Sequence, residues 1–384
     1  MSISADARSV GGVVHGRCAL PSENNNPCQI QRSDVTIVQE LIGDQSLAVW
    51  IILGTIGFLL TWKGANIVES TTSKISDHFG VSQAVQGGLI VAAATSFPEL
   101  AIIIISVLVL GDFGVGAGAL IGTAVFNILV IPSAVTITSG DTTTTQGIVY
   151  RDAIFYTVAV LGLFGVIALG VLGTDGQQRA QITPQMGVGL LVLYGVYVVL
   201  LVGGKSGTSG QKRTESANIL KQVGLFTAGL VIVLVGVESM VSMTVQISDA
   251  LNAPPFLISV TVLSAMSSFP DLLVGVKMGK AGDQRAAVAN VFGTNTFNLV
   301  AALPIGVILA GGVSIGFLTS VPLLLFLFYT TLVVVVLAAT DFELTTEEGY
   351  VFLAMYVGFL GWMTTEALGF TTLLTEETLR TIVE

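Results

Sequence analysis

The chain has 384 residues, of which 52% are hydrophobic and only 10% are charged. Soluble domains carry about a quarter charged residues, so this composition excludes an ordinary soluble protein and indicates a membrane protein. The formal net charge of −10 provides no basic surface for nucleic acid. Acidic residues gather in polar segments near 341–348 and 376–384, a pattern that hints at a high-salt environment.

Residues 1–45 are polar and lack an apolar run long enough for the core of a signal peptide. We therefore expect a mostly disordered N-terminal extension. Cys18 and Cys28 both lie in this segment. Two cysteines make neither a disulfide framework nor a metal site, so we interpret them as incidental thiols.

From residue 47 onward, apolar runs of ~20 residues follow one another, which is the length that a helix needs to cross a bilayer. Five lie before the polar linker 204–218 and five after it, so 46–203 and 219–384 are expected to form two five-helix units, the second with a short C-terminal tail. The ten predicted spans are 47–70, 81–110, 115–138, 151–173, 184–203, 219–242, 256–278, 285–310, 314–338 and 350–370.

Basic residues predict the orientation of these spans. If the N-terminus is outside, the only basic residue in the outside connections between helices is Arg179. The inside loops and their flanks then hold Lys74, Arg151, Lys205, Lys212, Arg213, Lys221, Lys277, Lys280 and Arg285. Cytoplasmic loops carry the excess of Lys and Arg, so linker 204–218 is expected in the cytoplasm.

An internal repeat relates the two units. A displacement of 172 residues lays 95–99 (Thr-Ser-Phe-Pro-Glu) on 267–271 (Ser-Ser-Phe-Pro-Asp), and it also lays Gly64 on Gly236. With a displacement of 171, Gly-Thr-x-x-Phe-Asn at 122–127 falls on the same pattern at 293–298. Each unit has an odd number of spans, so the two must insert in opposite orientations, which is a transporter architecture.

Glu99 and Asp271 each lie inside an apolar span. A carboxylate there costs at least ~2.5 kcal/mol on insertion scales, so it is by default a candidate functional group. Thr95 and Ser267 each precede one of these acids by four residues and share its helix face. By contrast, acids such as Glu366 are expected to be structural.

A proline next to each carboxylate frees a backbone oxygen. Pro98 and Pro270 cannot donate to the carbonyls of Ala94 and Met266, and the proline rings should disturb the preceding turn. At membrane depth such carbonyls line a cavity or bind a ligand. Ligand sets made of oxygen alone suit calcium and sodium rather than zinc or copper. The two histidines, at positions 15 and 78, lie outside the spans.

The third and eighth spans add a second polar pair. Thr123 with Asn127, and Thr294 with Asn298, are four residues apart, so hydroxyl and amide point the same way. Such residues also form hydrogen bonds between membrane helices. Their duplication favours ion binding.

These motifs resemble a known family. Residues 94–99 and 266–271 are similar to the alpha-repeat signatures, Gly-Thr-Ser-x-Pro-Glu, of the sodium/calcium and cation/calcium exchanger superfamily, and the trailing segments resemble its Gly-Ser-Asn-x-x-Asn. The resemblance spans about residues 50–370. It implies an all-α membrane protein with ten transmembrane helices in two inverted five-helix repeats. It also implies an antiporter that exchanges sodium for calcium by alternating access, not an enzyme, and without a cofactor.

The resemblance also implies roles for individual residues. Glu99 and Asp271 would be carboxylates shared by calcium and sodium, and Thr95 and Ser267 would supply backbone and hydroxyl oxygens. The sodium sites would be lined by Ser96, Ser268, Thr123 and Thr294, with the carbonyls of Ala92 and Ser264 nearby and with Asn127 and Asn298 at the centre.

The chain departs from the family pattern in places. The signature glycine is Ala94 in one half and Met266 in the other, and Ala124 replaces an asparagine that Asn295 keeps. The second signature is closest to the potassium-dependent branch, although that branch is associated with aspartate where this chain has Asn298. The choice of cation and the stoichiometry therefore stay open.

The alternative functions are proton-coupled antiport, intramembrane proteolysis and passive cation conduction. A carboxylate pair can also titrate, so proton-coupled antiport of calcium or another divalent cation is the main alternative. An intramembrane aspartyl protease needs Gly-x-Gly-Asp, which the sequence lacks, and the serine type needs Gly-x-Ser-Gly, which occurs only in the polar linker. A passive channel would not need the duplicated motif. The expected partners are the lipid bilayer and the transported calcium and sodium ions, and no sequence feature indicates a protein partner.

Overall fold

The computed structural model describes residues 46–79, 91–172, 179–203 and 219–371. Segment 1–45, with both cysteines, and linker 204–218 lie outside the described residues, so the predictions made for them stay predictions. The first half contains α1 (Leu47–His78), α2 (Val91–Thr95), α3 (Phe97–Ile105), α4 (Phe113–Ser139), α5 (Ile154–Leu172) and α6 (Pro184–Gly203). The second half contains α7 (Ile219–Leu251), α8 (Pro255–Ile258), α9 (Ser264–Lys280), α10 (Gln284–Phe297), α11 (Leu303–Leu309), α12 (Phe317–Ala339) and α13 (Thr346–Ala367).

Wider π-helical turns join several of these helices into longer ones. They extend α3 and precede α5 in the first half, and they link α8 to α9 and α10 to α11 in the second. These turns span Ser106–Leu110, Ile148–Ala153, Ser259–Leu263 and Asn298–Ala302.

The predicted all-α membrane fold is confirmed. In the part of the chain that the structure describes, eight helical stretches are long and apolar enough to cross a membrane, and Phe97–Leu110 is a shorter apolar helix. The tenth predicted span forms α13, whose first turn carries Glu347 and Glu348 behind a capping box at Thr345. The helices α1 and α7 end at His78 and Leu251, more than two turns beyond their predicted ends at 70 and 242. Hydropathy marks only the apolar part of a helix, whereas backbone hydrogen bonding continues into the polar turns.

The inverted relation of the two halves is visible where α1 packs on α7. A Cβ added to Gly57 would lie 2.6 Å from the carbonyl oxygen of Gly236, and one added to Gly64 would lie 2.9 Å from that of Gly229. Contacts that advance along α1 therefore retreat along α7, and the two helices are antiparallel. Because α1 and α7 open the two repeats, the halves run in opposite directions, as the odd number of spans per half predicts.

Four short strands, which the sequence did not predict, repeat this symmetry. They are β1 (Thr142–Thr143), β2 (Arg179–Ile182), β3 (Val313–Gly316) and β4 (Glu343–Leu344). β1 pairs antiparallel with β4, and β2 with β3. β1 and β4 each follow an odd number of spans, whereas β2 and β3 each follow an even number. Each sheet thus joins strands from the same side of the membrane, in agreement with a ten-span topology.

The third and eighth spans form the centre of the molecule. Of the most apolar part of Phe113–Ser139, 89% is buried, and of Gln284–Leu309, 83%, whereas the other six of the eight long apolar stretches reach at most 50%. A helix that is apolar on all sides packs inside a bundle.

The two central helices differ by one residue in the spacing between an asparagine and the next proline. Asn127 and Pro132 are five residues apart in α4, whereas their repeat equivalents Asn298 and Pro304 are six apart. The π-helical turn Asn298–Ala302 accommodates the extra residue, since such a turn widens the helix by one residue.

Candidate cation site

Glu99 lies in the first turn of α3, directly after a break in the second span. Ser96 separates α2 from α3 with φ −85° and ψ 9°. Pro98 has no N–H to donate to a preceding carbonyl, and it lies in the first turn of α3, where a helix loses no hydrogen bond to proline; the break falls just before it. The disturbance predicted before Pro98 is therefore present. Only 1% of Glu99 is exposed, and the helix N-terminus favours its negative charge.

Asp271 occupies the equivalent place in the second half, but its helix is unbroken. The disturbance predicted before Pro270 is wrong in this form, because α9 runs through Pro270 from Ser264 to Lys280. The irregular backbone lies earlier, in the π-helical turn Ser259–Leu263. Membrane helices tolerate proline where neighbouring groups satisfy the freed carbonyl. Asp271 is 8% exposed.

The fold brings the two carboxylates within electrostatic range of each other. In the described part of the chain, neither forms an ion pair with a basic side chain. Neither oxygen of Glu99 accepts a hydrogen bond from another residue, and Oδ2 of Asp271 has no partner. Two buried carboxylates without counter-charge are costly in a low-dielectric interior, so the arrangement favours a bound cation.

Further buried oxygens without a hydrogen-bond partner gather at the predicted site residues. They are the hydroxyls of Ser96, Ser268 and Thr294 and the Oδ1 atoms of Asn127 and Asn298. Among the described residues there is no group of three or more His, Cys, Asp or Glu that could hold a metal. The donors are two carboxylates with neutral oxygens, a set that suits hard cations such as calcium and sodium.

Hydroxyl groups connect the halves beside the carboxylates. Thr123 Oγ1 lies 3.1 Å from Ser267 Oγ, and the Ser267 hydroxyl donates to the carbonyl of Ser264 at 3.1 Å. Because the hydrogen of Ser267 is used in this way, Thr123 is the donor in the pair. Thr123 thus keeps both oxygen lone pairs free to face a cation.

The remaining predicted residues lie on the same elements. Thr95 and Ala92 belong to α2, and Ser264 is the first residue of α9. Asn298 is fully buried, and neither atom of its amide has a partner. It begins the π-helical turn, so the backbone of the eighth span is irregular at this residue.

Sequence reasoning missed Asn295 as part of the site. Its Nδ2 donates to the carbonyl of Ala124 at 3.0 Å, and its Oδ1 accepts from Asn127 Nδ2 at 3.2 Å. The sequence did carry a signal, since Asn295 keeps an asparagine of the family pattern that Ala124 replaces.

Glu366 behaves as the structural acid that the sequence suggested. It is buried near the end of α13, and its Oε2 accepts a hydrogen bond of 2.7 Å from the Thr371 hydroxyl.

Comparison with known proteins identifies the family of this fold. The family model described as sodium/calcium exchanger protein matches residues 48–203 and 221–365. A relative named uncharacterized membrane protein MJ0091, from Methanocaldococcus jannaschii, is 27% identical over 309 residues, which is 79% of this chain and 94% of the relative.

Two solved structures share the fold. The sodium-calcium exchanger NCX_Mj aligns with a TM-score of 0.56 and 23% identity, over 81% of this chain and 97% of that chain. The H⁺/Ca²⁺ exchanger CAX aligns with a TM-score of 0.64 and 14% identity, over 90% and 92%. Because the family model matches both halves and well over half of the residues, the chain belongs to the sodium/calcium exchanger family of multi-pass membrane transporters.

Proposed function

We propose that this protein is a secondary antiporter that exchanges sodium for calcium across the cell membrane by alternating access. The observation that carries the proposal is a coincidence of two independent patterns. The repeated motif singles out a set of residues in each half, and seven of the thirteen described residues with a buried oxygen that lacks a hydrogen-bond partner belong to that set, both carboxylates among them. A polar group buried without a partner costs about 1–3 kcal/mol, so a cluster of them indicates a ligand.

The charge of the site determines how it would work. Two carboxylates balance one calcium ion, whereas several sodium ions would leave the loaded centre positive. Without a cation, two negative charges would face each other in a low-dielectric interior, where a charge pair interacts far more strongly than in water. The protein should therefore change conformation when loaded and resist the change when empty, which makes exchange obligatory.

The proposed ligands divide between the halves. Glu99 and Asp271 supply the charge to both ions, with hydroxyl and backbone oxygens of Thr95 and Ser267. The sodium positions take Ser96, Ser268, Thr123 and Thr294, the carbonyls of Ala92 and Ser264, and the amides of Asn127 and Asn298. The inverted halves would expose this central set to each side of the membrane in turn.

Basic residues give the proposed orientation. Arg285 donates to Thr143 beside the first sheet, whereas Arg179 donates to Ser314 beside the second. We place the end with Arg285, Lys277 and Lys280 in the cytoplasm, together with linker 204–218, because positive residues stay inside.

A proton-coupled calcium antiporter is the second candidate. The observation that favours it is the same pair of buried carboxylates without a basic partner, since protonation would also neutralise the pair. The fold is equally compatible, because the H⁺/Ca²⁺ exchanger CAX shares it.

Calcium uptake by proteoliposomes separates the two. An outward sodium gradient should drive calcium inward even when a protonophore has collapsed any pH difference. Vesicles with choline in place of sodium serve as the control. Uptake that follows only an imposed pH gradient would promote proton coupling, and no uptake under either gradient would contradict both proposals.

A further inference from the structure

Asn295 touches a proposed cation ligand without being one itself. We propose that Asn295 is a positioning residue that turns the Asn127 amide so that its oxygen, and not its nitrogen, faces the cation site. This inference rests on the proposed function.

The hydrogen-bond partners determine which end of each amide is the nitrogen and which is the oxygen. The carbonyl of Ala124 can only accept, so the end of the Asn295 side chain that lies 3.0 Å from it must be the amide nitrogen. The other end of Asn295 is then the oxygen, which can only accept in turn. Asn127, 3.2 Å away, must therefore present its nitrogen to Asn295. The remaining atom, Asn127 Oδ1, is buried and without a protein partner.

The direction of these hydrogen bonds is fixed because the two halves differ at this position. The repeat equivalent of Asn295 is Ala124, which is fully buried. Its small side chain leaves the backbone carbonyl accessible to the amide from the other half. A carbonyl has a fixed polarity, whereas an amide side chain in its place could turn over. The group that accepts the last hydrogen bond is therefore a backbone carbonyl, which cannot exchange its acceptor for a donor.

A buried ring packs one turn before Asn295. The fully buried ring of Tyr156 on α5 lies near Phe292, with ring centroids 6.1 Å apart. This contact packs α5 against the part of α10 that carries Asn295, so the backbone beneath the amide is held by packing from outside the site.

A reversed Asn127 amide would present N–H groups to a cation, which they repel. Loss of a residue that orients a metal ligand lowers metal affinity about 10- to 100-fold. Asn295→Ala should therefore weaken sodium binding about tenfold. The measurement is the unfolding temperature of the purified protein in detergent, titrated with sodium, because a bound ligand stabilises the folded state. It reports binding without requiring transport.

A thermodynamic cycle with Asn127→Ala separates positioning from a general structural role. If Asn295 acts through Asn127, then Asn295→Ala should change sodium affinity by less than about twofold in the Asn127→Ala background. Effects that multiply in the double variant would overturn the inference. Thr330→Val on α12, which removes a buried hydroxyl that donates to the carbonyl of Leu327, is the control and should leave the sodium affinity unchanged.

Asn295→Ser keeps the inference testable if Asn295→Ala does not fold, because it leaves a small polar group at this buried position. A serine hydroxyl is too short to bond both Ala124 and Asn127, so sodium binding should weaken about threefold, and the effect should again vanish in the Asn127→Ala background. Unchanged sodium binding in both Asn295→Ala and Asn295→Ser would overturn the inference. Sodium-driven calcium uptake by the unmodified protein tests the proposed function separately, so either proposal can fail alone.

Discussion

The two halves of this molecule share a motif, but they differ where they meet at the centre. The first half has the longer acid, Glu99, behind a broken helix, and the second has Asp271 in a continuous one. Gly122 of the first half is packed against the backbone of the second, whereas among the described residues its equivalent Gly293 has only the Tyr197 hydroxyl nearby, at 3.6 Å from an added Cβ. Duplication therefore preserved the chemical groups and allowed the backbone around them to diverge.

This divergence is expected if each half has its own task. A broken helix and a π-helical turn both free backbone oxygens, but they do so at different places along the chain. The first half has its break next to Glu99, and the second has an extra helical residue at Asn298. The cations bound from the two halves would thus meet different sets of backbone oxygens around similar side chains.

Removing the charge from either half should have the largest effect. Glu99→Gln and Asp271→Asn should each lower sodium-driven calcium uptake by about 100-fold or more, since each removes a charged ligand but little packing volume. The control is Glu366→Gln, another buried acid, whose Thr371 contact an amide oxygen can keep. Near-normal uptake by both site variants in proteoliposomes would disprove the assigned site.

Added volume at the equivalent glycines tests the difference in packing. The Cβ of Gly122→Ala would collide with the carbonyl of Val260, so the variant should lose about 1–3 kcal/mol of stability. Gly293→Ala has space and should be neutral or gain up to about 1 kcal/mol from helix propensity. Thermal unfolding in detergent measures both variants. Equal losses would show that the halves pack alike.

The sequence predicted most of the fold because its signals are local. Apolar runs define the spans, and a repeated motif with an odd number of spans per half defines the inversion. The backbone difference between Pro98 and Pro270 could not be predicted, since both follow Ser-Phe and only the packing around each helix differs. The π-helical turn at Asn298 was detectable from the extra residue before Pro304.

The sequence predicted the candidate site less completely than the fold. The carboxylates and hydroxyls follow from their duplication in the two motifs. Asn295 was missed because one of its two partners is the backbone carbonyl of Ala124, and a carbonyl has no signature in sequence. The contact between Thr123 and Ser267 also requires the third and seventh spans to be adjacent, which only the folded chain shows.

Potassium dependence tests the centre of the second half. Asn298 provides an amide oxygen but no charge, so a further monovalent cation should bind weakly. Exchange should therefore continue when choline replaces potassium on both sides of the vesicle. Asn298→Asp should increase sensitivity to potassium or, failing that, slow transport by burying an uncompensated charge. If the unmodified protein stops without potassium, Asn298 does not determine the choice of ion.

Equivalent strand positions should face opposite sides of the membrane, with no effect on transport. Thr143 and Ser314 are both exposed, and each accepts a hydrogen bond of 3.2 Å from an arginine. In a background without Cys18 and Cys28, Ser314→Cys should react with an impermeant thiol reagent on intact cells. Thr143→Cys should react only after permeabilisation. The reverse pattern would invert the orientation, and labelling of both would contradict the inverted halves.

Calcium binding to the purified protein tests most directly whether the two halves build one site. Isothermal titration should give one calcium ion per chain, displaced by excess sodium, because Glu99 and Asp271 would share the same ion. Either Glu99→Gln or Asp271→Asn alone should abolish this binding. A calcium ion that still binds in both variants, or two ions that each depend on one carboxylate, would contradict a shared site.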